Sequence, residues 1–344
     1  MQKPIGVIGS GSFGMTISKL LMENVDVLLY TRRVSVMEAI NINKLYMGID
    51  TSTNIRATNS LEELGKSCDV IMPVIPSKSF RAVMRDLSPH VDPHHIMIHA
   101  TKGLDSTKIS KKRKVNNDYN RSDIYSMSEV ILDETTVIRV GCISGPNLAK
   151  EILAGLPATT VIASEFDEVI KIGRQVLNSK LFSVFGSHDL KGAELAGAFK
   201  NIIAIGSGIV GGLNLGKNLQ SALITRGLRE MIQFGNSMGA QSKSFLGTAG
   251  IGDLIATATS ENSRNYTFGK RLAQGETVEE IMKTSSEIIE GVSTLNIIHH
   301  LAVKEDLHLP ITLMLYKAIY ENYPIEKAIR LLMVYNYAPD VDFI

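Results

Sequence analysis

"GVIGSGSFGMTIS", residues 6–18, decides the fold of the first half of this chain. Gly9, Gly11 and Gly14 stand in the spacing G-x-G-x-x-G. The apolar run "PIGVIG" (4–9) reads as a buried strand. "FGMTISKLLMEN" (13–24) has the apolar spacing of a helix, and "VDVLLY" (25–30) reads as a second strand. Alone the glycine pattern is weak. Between a strand and a helix, with a second strand following, it is the fingerprint of a dinucleotide-binding turn. Gly9 permits the tight turn, Gly11 lets a pyrophosphate approach the main chain, and Gly14 lets helix and strand pack closely. The helix N-terminus then offers unpaired N–H groups to the phosphates.

Outward from this motif the alternation continues. "SLEELGK" (60–66) opens with Ser60 and Glu63 in capping-box spacing and reads as a helix. "DVIMPVI" (69–75), "HIMIHA" (95–100), "TVIRVGCIS" (136–144), "TTVIAS" (159–164) and "LFSVFGS" (181–187) read as strands, with helical segments between them. The pattern predicts a mainly parallel α/β sheet, doubly wound in the Rossmann manner. From about Leu190 only helical periods follow, as in "ETVEEIMKTS" and "ITLMLYKAIYEN". We therefore expect a dinucleotide-binding domain over 1–188 and an all-α domain over 189–344. Residues 105–135 fit neither pattern. They are polar, with a basic cluster at Lys111, Lys112, Arg113 and Lys114, and read as a solvated surface insertion in the first domain.

Composition narrows the function classes. The chain has 344 residues, 44% hydrophobic and 21% charged, which suits a folded globular protein of two domains. A net charge of +1 gives no field for nucleic acid or a membrane surface. Cys68 and Cys142 sit in apolar, strand-like surroundings without metal-ligand spacing, so we expect a reducing cytoplasm and no metal. The N-terminus enters a strand directly, without a signal-peptide pattern.

Three local features bear on chemistry. After the second strand come Tyr30-Thr31-Arg32-Arg33, where an acidic residue often reads the ribose of NAD. An arginine there can receive a 2′-phosphate or stack on adenine, so NAD and NADP both remain open. In the apolar stretch "ELAGAFKNIIAIGSGIVGGLNLG" (194–216), Lys200 and Asn201 interrupt a run of small and aliphatic residues. A buried ammonium there needs a compensating partner. The glycines and charges also make the stretch a poor membrane span. Further on, "TAGIGDLIATATSENSRNYTFG" (248–269) carries Asp253 and then Ser263-Arg264-Asn265. Arg264 is suited to a planar grip on phosphate, with Ser263 and Asn265 as neutral hydrogen-bond partners.

These motifs, with "TKGL" (101–104), "ISGPNLAKEILAGLPATTVIAS" (143–164), "ALITRGLREM" (222–231) and "EIIEGVSTL" (287–295), fall in an order that resembles the bacterial-type NAD(P)-dependent sn-glycerol-3-phosphate dehydrogenases. The resemblance spans nearly the whole chain, apart from 105–135. It implies that Ser12, Phe13 and Arg32 or Arg33 contact the dinucleotide, with Ala149, Ile288 and Glu290 beside it. It places Lys102 and Lys200 at the reacting centre, with Lys102 also near the cofactor. It assigns Gly145, Asn147, Asp253, Ser263, Arg264 and Asn265 to the substrate, Arg264 also lying near the cofactor. This chain departs from the family at Phe13, where Trp or Tyr is usual, and at Asn147, where Ser is usual.

The activity so implied is reversible reduction of dihydroxyacetone phosphate to sn-glycerol 3-phosphate, feeding glycerophospholipid synthesis, in a cytoplasmic homodimer. A ketone oxygen that receives hydride becomes an alkoxide and needs a proton. An ordinary lysine, with a pKa of about 10.4, begins as the acid at neutral pH. Asp253 is the expected carboxylate that orients Lys200. Two other readings stand beside this one. Another two-domain hydroxy-acid dehydrogenase would lack the phosphate grip at 263–265. A non-catalytic dinucleotide sensor would have no reason to keep Lys102, Lys200 and Asp253.

Overall fold

The structure is a computed structural model that describes residues 3–115, 118–285 and 288–334. Residues 335–344 of the expected helical domain, and Glu287 of "EIIEGVSTL", lie outside the described residues. The chain divides into two compact units. One comprises Met1–Lys102 and Ser126–Leu190, and the other Gly103–Tyr125 and Lys191–Ile344.

The first unit is built on an eight-stranded sheet. Its strands are β1 (Ile5–Ile8), β2 (Val27–Tyr30), β5 (Ile55–Thr58), β6 (Val70–Pro73), β7 (Ile96–His99), β8 (Arg139–Ser144), β9 (Ala158–Ser164) and β10 (Phe182–Ser187). A separate hairpin pairs β3 (Leu45–Tyr46) with β4 (Ile49–Asp50). The order is β10-β9-β8-β7-β6-β1-β2-β5, so the chain winds one way from β1 through β2 to β5 and the other way from β6 outward. Every residue of β1, β6 and β7 is buried, because helices cover both faces of the sheet centre, and their sequences are accordingly apolar throughout. The reversal of winding lies between β1 and β6, which is where an open α/β sheet binds its ligand.

Three features depart from the sequence reading. The sheet is parallel from β5 across to β8, but β9 runs antiparallel to β8, with Gly141 opposite Ser164. The edge strand β5, "IRAT", was not expected. Four residues including a charge give no periodic signal. The expected capping box at Ser60 is half made. Ser60 Oγ accepts from Glu63 N at 3.1 Å, while the Glu63 carboxylate is held by Arg56 and Thr58 instead.

The insertion is the larger correction. Residues 103–125 are not a solvated loop of the first unit but part of the second. Leu104, Ile109, Tyr119 and Ile124 are buried in the apolar core of the helical unit. The Tyr119 ring stacks on His300 with centroids 5.0 Å apart, and its hydroxyl accepts from Asn296 at 3.1 Å. Lys304 bonds Asp118 at 2.9 Å, and Arg113, counted in the basic cluster, is spent on Asp118 and Asp123. Lys111 and Lys112 are exposed and keep the solvated character expected of the cluster, whereas Lys114 is half-buried. Residues 127–134 return to the first unit as a helix with a complete capping box between Ser126 and Glu129. This helix is pinned by Arg81, which bonds Asp133 and Glu134.

The helical unit is organised around Leu190–Gly212, whose residues are buried almost end to end. By length and composition this helix could cross a membrane, and 89% of its apolar window is buried. Small residues let its neighbours approach. A Cβ on Gly208 would stand 2.0 Å from Tyr266 O, and one on Gly269 would stand 2.0 Å from Ile205 O. The helices Leu190–Gly212 and Arg264–Ala273 are thereby in backbone contact, at a distance that larger residues would forbid.

Candidate active site

In the first unit the glycine turn has the shape its sequence implies. Gly9 adopts φ +120°, and a Cβ there would stand 2.3 Å from Val74 O. A Cβ on Gly14 would stand 1.9 Å from Gly9 O, so helix Ser12–Leu21 packs directly on the turn. Gly11 meets nothing within 4 Å. It is the N-cap of that helix, has no side-chain cap, and is followed by a first turn without an acidic residue. The open side of the loop is therefore a set of backbone donors at a positive helix end, which fits the pyrophosphate of a dinucleotide. Ser12 and Phe13 open the helix, and Phe13 packs partly buried against the sheet core.

The two arginines differ. Arg33 reaches back to the loop and donates to Ser10 O at 3.2 Å and Ser10 Oγ at 3.1 Å. It also donates to Tyr46 at 3.1 Å, on the hairpin. Ser10 Oγ lies 2.8 Å from Thr31 Oγ1. Arg32 is exposed and makes no hydrogen bond or ion pair among the described residues. The sequence treated the two as interchangeable; their side chains are not.

Lys102 donates to Gly145 O at 2.9 Å. Asn147, at the unusual position, is tied to β9. It donates to Thr159 O at 3.0 Å and accepts from Thr160 Oγ1 at 2.8 Å, so its amide braces the Gly145 turn. Ala149 begins the short helix Ala149–Leu153.

In the second unit Lys200 has its partner. It is 5% exposed and donates to Asp253 Oδ1, itself 1% exposed, and to Thr257 Oγ1 at 2.6 Å. Asp253 follows a π-helical turn, Thr248–Gly252, and opens the six-residue helix Asp253–Ala258. Thr257 lies one turn on and also donates to Asp253 Oδ1, at 3.2 Å. It escaped the sequence reading, although a hydroxyl four residues after a helical aspartate necessarily shares its face.

Asn201, the next residue after Lys200, accepts from Asn265 Nδ2 at 2.9 Å, and Asn265 Oδ1 accepts from Gly291 N at 3.0 Å. Asn265 therefore ties three helices together. Ser263 caps helix Arg264–Ala273 by accepting from Tyr266 N, which leaves its hydroxyl proton to donate elsewhere. The first turn of that helix has no acidic residue. Arg264 is exposed there and donates to Ile288 O at 2.8 Å, and Glu290 begins the next helix, Glu290–Lys304. A helix N-terminus with a serine cap and an arginine fits a phosphate. Among the described residues no group of three or more His, Cys, Asp or Glu side chains could hold a metal ion. Both cysteines are buried. Cys68 caps a helix rather than lying in a strand, and burial pushes its thiol up to about 12.

Hydride chemistry at a carbon bearing oxygen requires a dinucleotide cradle and a placed proton source. The chain is an NAD(P)-dependent oxidoreductase of the CH–OH group. Residues 4–170 match the N-terminal family model of NAD-dependent glycerol-3-phosphate dehydrogenase, and residues 189–330 match its C-terminal model. The chain is 37% identical to a glycerol-3-phosphate dehydrogenase [NAD(P)+] of Acinetobacter baumannii, over 99% of this chain and 92% of that protein. It is 36% identical to one from Staphylococcus epidermidis, over 96% and 98%. The crystal structure of glycerol-3-phosphate dehydrogenase from Coxiella burnetii superposes with a TM-score of 0.86 at 30% identity, covering 97% of this chain and 99% of that one. The chain belongs to the NAD-dependent glycerol-3-phosphate dehydrogenase family.

Proposed function

We propose that this chain reduces dihydroxyacetone phosphate reversibly to sn-glycerol 3-phosphate, the precursor of glycerophospholipids. The observation that carries the reading is the buried Lys200–Asp253–Thr257 cluster, linked through Asn201 and Asn265 to the helix end that bears Ser263 and Arg264. When bound, the nicotinamide supplies hydride in the reductive direction and accepts it in the oxidative one.

The residues do the rest. The Lys200 ammonium stabilises the developing alkoxide and gives it a proton, and in the oxidative direction the same nitrogen takes that proton back. Asp253 and Thr257 fix where the ammonium stands. Arg264, Ser263 and the helix end hold the phosphate, and that remote grip orients the carbonyl as well as adding affinity. Lys102 and the Gly145–Asn147 turn serve the substrate, and Ala149, Ile288 and Glu290 serve the cofactor. Arg33 shapes the glycine turn, and Arg32 is the residue available to a 2′-phosphate. We assign the protein to the cytoplasm because its two cysteines suit a reducing compartment, and to a homodimer because the family resemblance implies one.

The test is to follow nicotinamide absorbance with dihydroxyacetone phosphate and either NADH or NADPH. Turnover with the phosphorylated ketone, and little with unphosphorylated dihydroxyacetone or a 2-oxo acid, is expected. Preferential turnover of an oxo acid would favour the hydroxy-acid dehydrogenase reading. Dinucleotide binding without turnover of any ketose phosphate would favour a sensor.

A further inference from the structure

The helix that carries Asp253 and Thr257 has only six residues, too few to hold its own shape, so its placement is set from outside. One end is held by Lys200. The other end is Ala258, whose carbonyl is among the last of the helix and has no partner within it. Ala258 is 0% exposed, so water does not satisfy that oxygen. Two side chains do. Ser207 Oγ donates to Ala258 O, and Gln220 Nε2 stands 2.8 Å from Ser207 Oγ and 3.4 Å from Ala258 O. Lys217 Nζ donates to Gln220 Oε1 at 2.8 Å. Ser207 is fully buried and Gln220 nearly so, whereas Lys217 is at the surface.

The polarity of this chain of bonds is determined. An ammonium only donates, so the Gln220 atom that meets Lys217 is its oxygen. The Gln220 amide nitrogen then faces Ser207 and donates to it. The serine proton is left for the Ala258 carbonyl, which only accepts. Ser207 lies two turns beyond Lys200 on the same face of the same helix. Leu190–Gly212 thus bonds Asp253–Ala258 through two residues in line: Lys200, which meets Asp253 and Thr257, and Ser207, which meets the terminal carbonyl of Ala258.

We propose that Ser207 and Gln220 are positioning residues for the proton donor. They fix the far end of helix Asp253–Ala258 and so hold Asp253 and Thr257 around the Lys200 ammonium. The proposal rests on Lys200 being that donor. Gln220→Glu is the sharpest probe. It is isosteric and keeps the contact with Lys217, but it offers the serine an acceptor where a donor stood, so the hydroxyl no longer serves Ala258 alone.

The experiment compares wild type, Gln220→Glu, Ser207→Ala, Ser207→Thr and Lys200→Met. It measures kcat, KM for dihydroxyacetone phosphate, the solvent isotope effect on kcat in D2O, and the melting temperature. Gln220→Glu and Ser207→Ala are expected to lose about tenfold to a hundredfold in kcat, the scale of a small misplacement of a catalytic group. KM should change less than threefold, and the isotope effect should rise as proton delivery limits turnover. Ser207→Thr, which keeps the hydroxyl, should recover most of kcat. A lower melting temperature with unchanged kcat and isotope effect would show a purely structural bond and overturn the proposal. If Ser207→Ala does not fold, Gln220→Glu decides by the same criteria. Full activity in Lys200→Met would instead overturn the reading of Lys200 itself.

Discussion

The Lys200 ammonium is bonded to the Asp253 carboxylate, and both side chains are buried. A pair so placed is held by its partners rather than by water. Removing one partner leaves an uncompensated charge, at a cost of roughly 3–5 kcal/mol. Asp253→Ala should therefore be destabilising as well as inactive, and Asp253→Asn is the better probe. It should remain folded by circular dichroism and lose turnover.

Arg264 is exposed at a helix N-terminus, so its removal should leave the fold intact. Arg264→Ala is expected to raise KM for dihydroxyacetone phosphate by roughly 10-fold to 100-fold, the loss of a charge-assisted grip of about 1.5–3 kcal/mol. Activity on unphosphorylated dihydroxyacetone should be unchanged. Equal losses on both ketones would show that Arg264 does not read the phosphate.

Arg32 and Arg33 should separate by cofactor. Arg33 is bonded to Ser10 in the glycine turn, so Arg33→Ala should weaken NADH and NADPH together. Arg32→Ala should weaken NADPH selectively. Fluorescence titration with each cofactor distinguishes these outcomes, and the reverse pattern would exchange the two roles.

Tyr119 tests whether the polar segment is structural. Tyr119→Phe keeps the stack on His300 and loses the bond from Asn296, for about 1 kcal/mol. Tyr119→Ala also empties a buried ring site, for roughly 3–5 kcal/mol. Urea unfolding should rank the variants in that order. No loss in Tyr119→Ala would mean that the segment contributes nothing to the helical core.

Glu230 links stability to pH. Its carboxylate accepts from Ile311 N, Thr312 N and Thr312 Oγ1 at the start of helix Pro310–Tyr320, and burial pushes its pKa from 4.5 up to about 7. Between those values the folded protein keeps a proton that the unfolded chain has released. Stability from this group is thus full below pH 4.5 and is lost as pH rises through about 7, by on the order of 3 kcal/mol. Glu230→Gln removes the titration. Its disadvantage against wild type in melting temperature should shrink from pH 4.5 to 7.5, and a constant gap would contradict the assignment.

Much of this was legible in the sequence because the signals were local. The glycine turn, the central apolar strands and the switch to helical periods each depend on a few adjacent residues. The placement of 103–125 was not, since its buried anchors Leu104, Ile109, Tyr119 and Ile124 are scattered among polar residues without a period. The antiparallel β9 was hidden for a related reason. A strand whose buried residues run together, as they do over Thr160–Ser164, reads alike in either direction. In the site, residue types pointed to Lys200, Asp253 and Arg264. Thr257, and the tether from Arg33 to Ser10, depend on which face or loop a side chain reaches, which only the folded chain shows.

If Lys200 is the proton donor of a dihydroxyacetone phosphate reductase, its replacement stops turnover without loosening the cofactor. The most direct measurement is kcat of Lys200→Ala with dihydroxyacetone phosphate, alongside its affinity for NADH. A loss of about 100-fold or more in kcat, the contribution of a placed general acid, is expected, with NADH affinity nearly unchanged. Turnover close to that of wild type would contradict it.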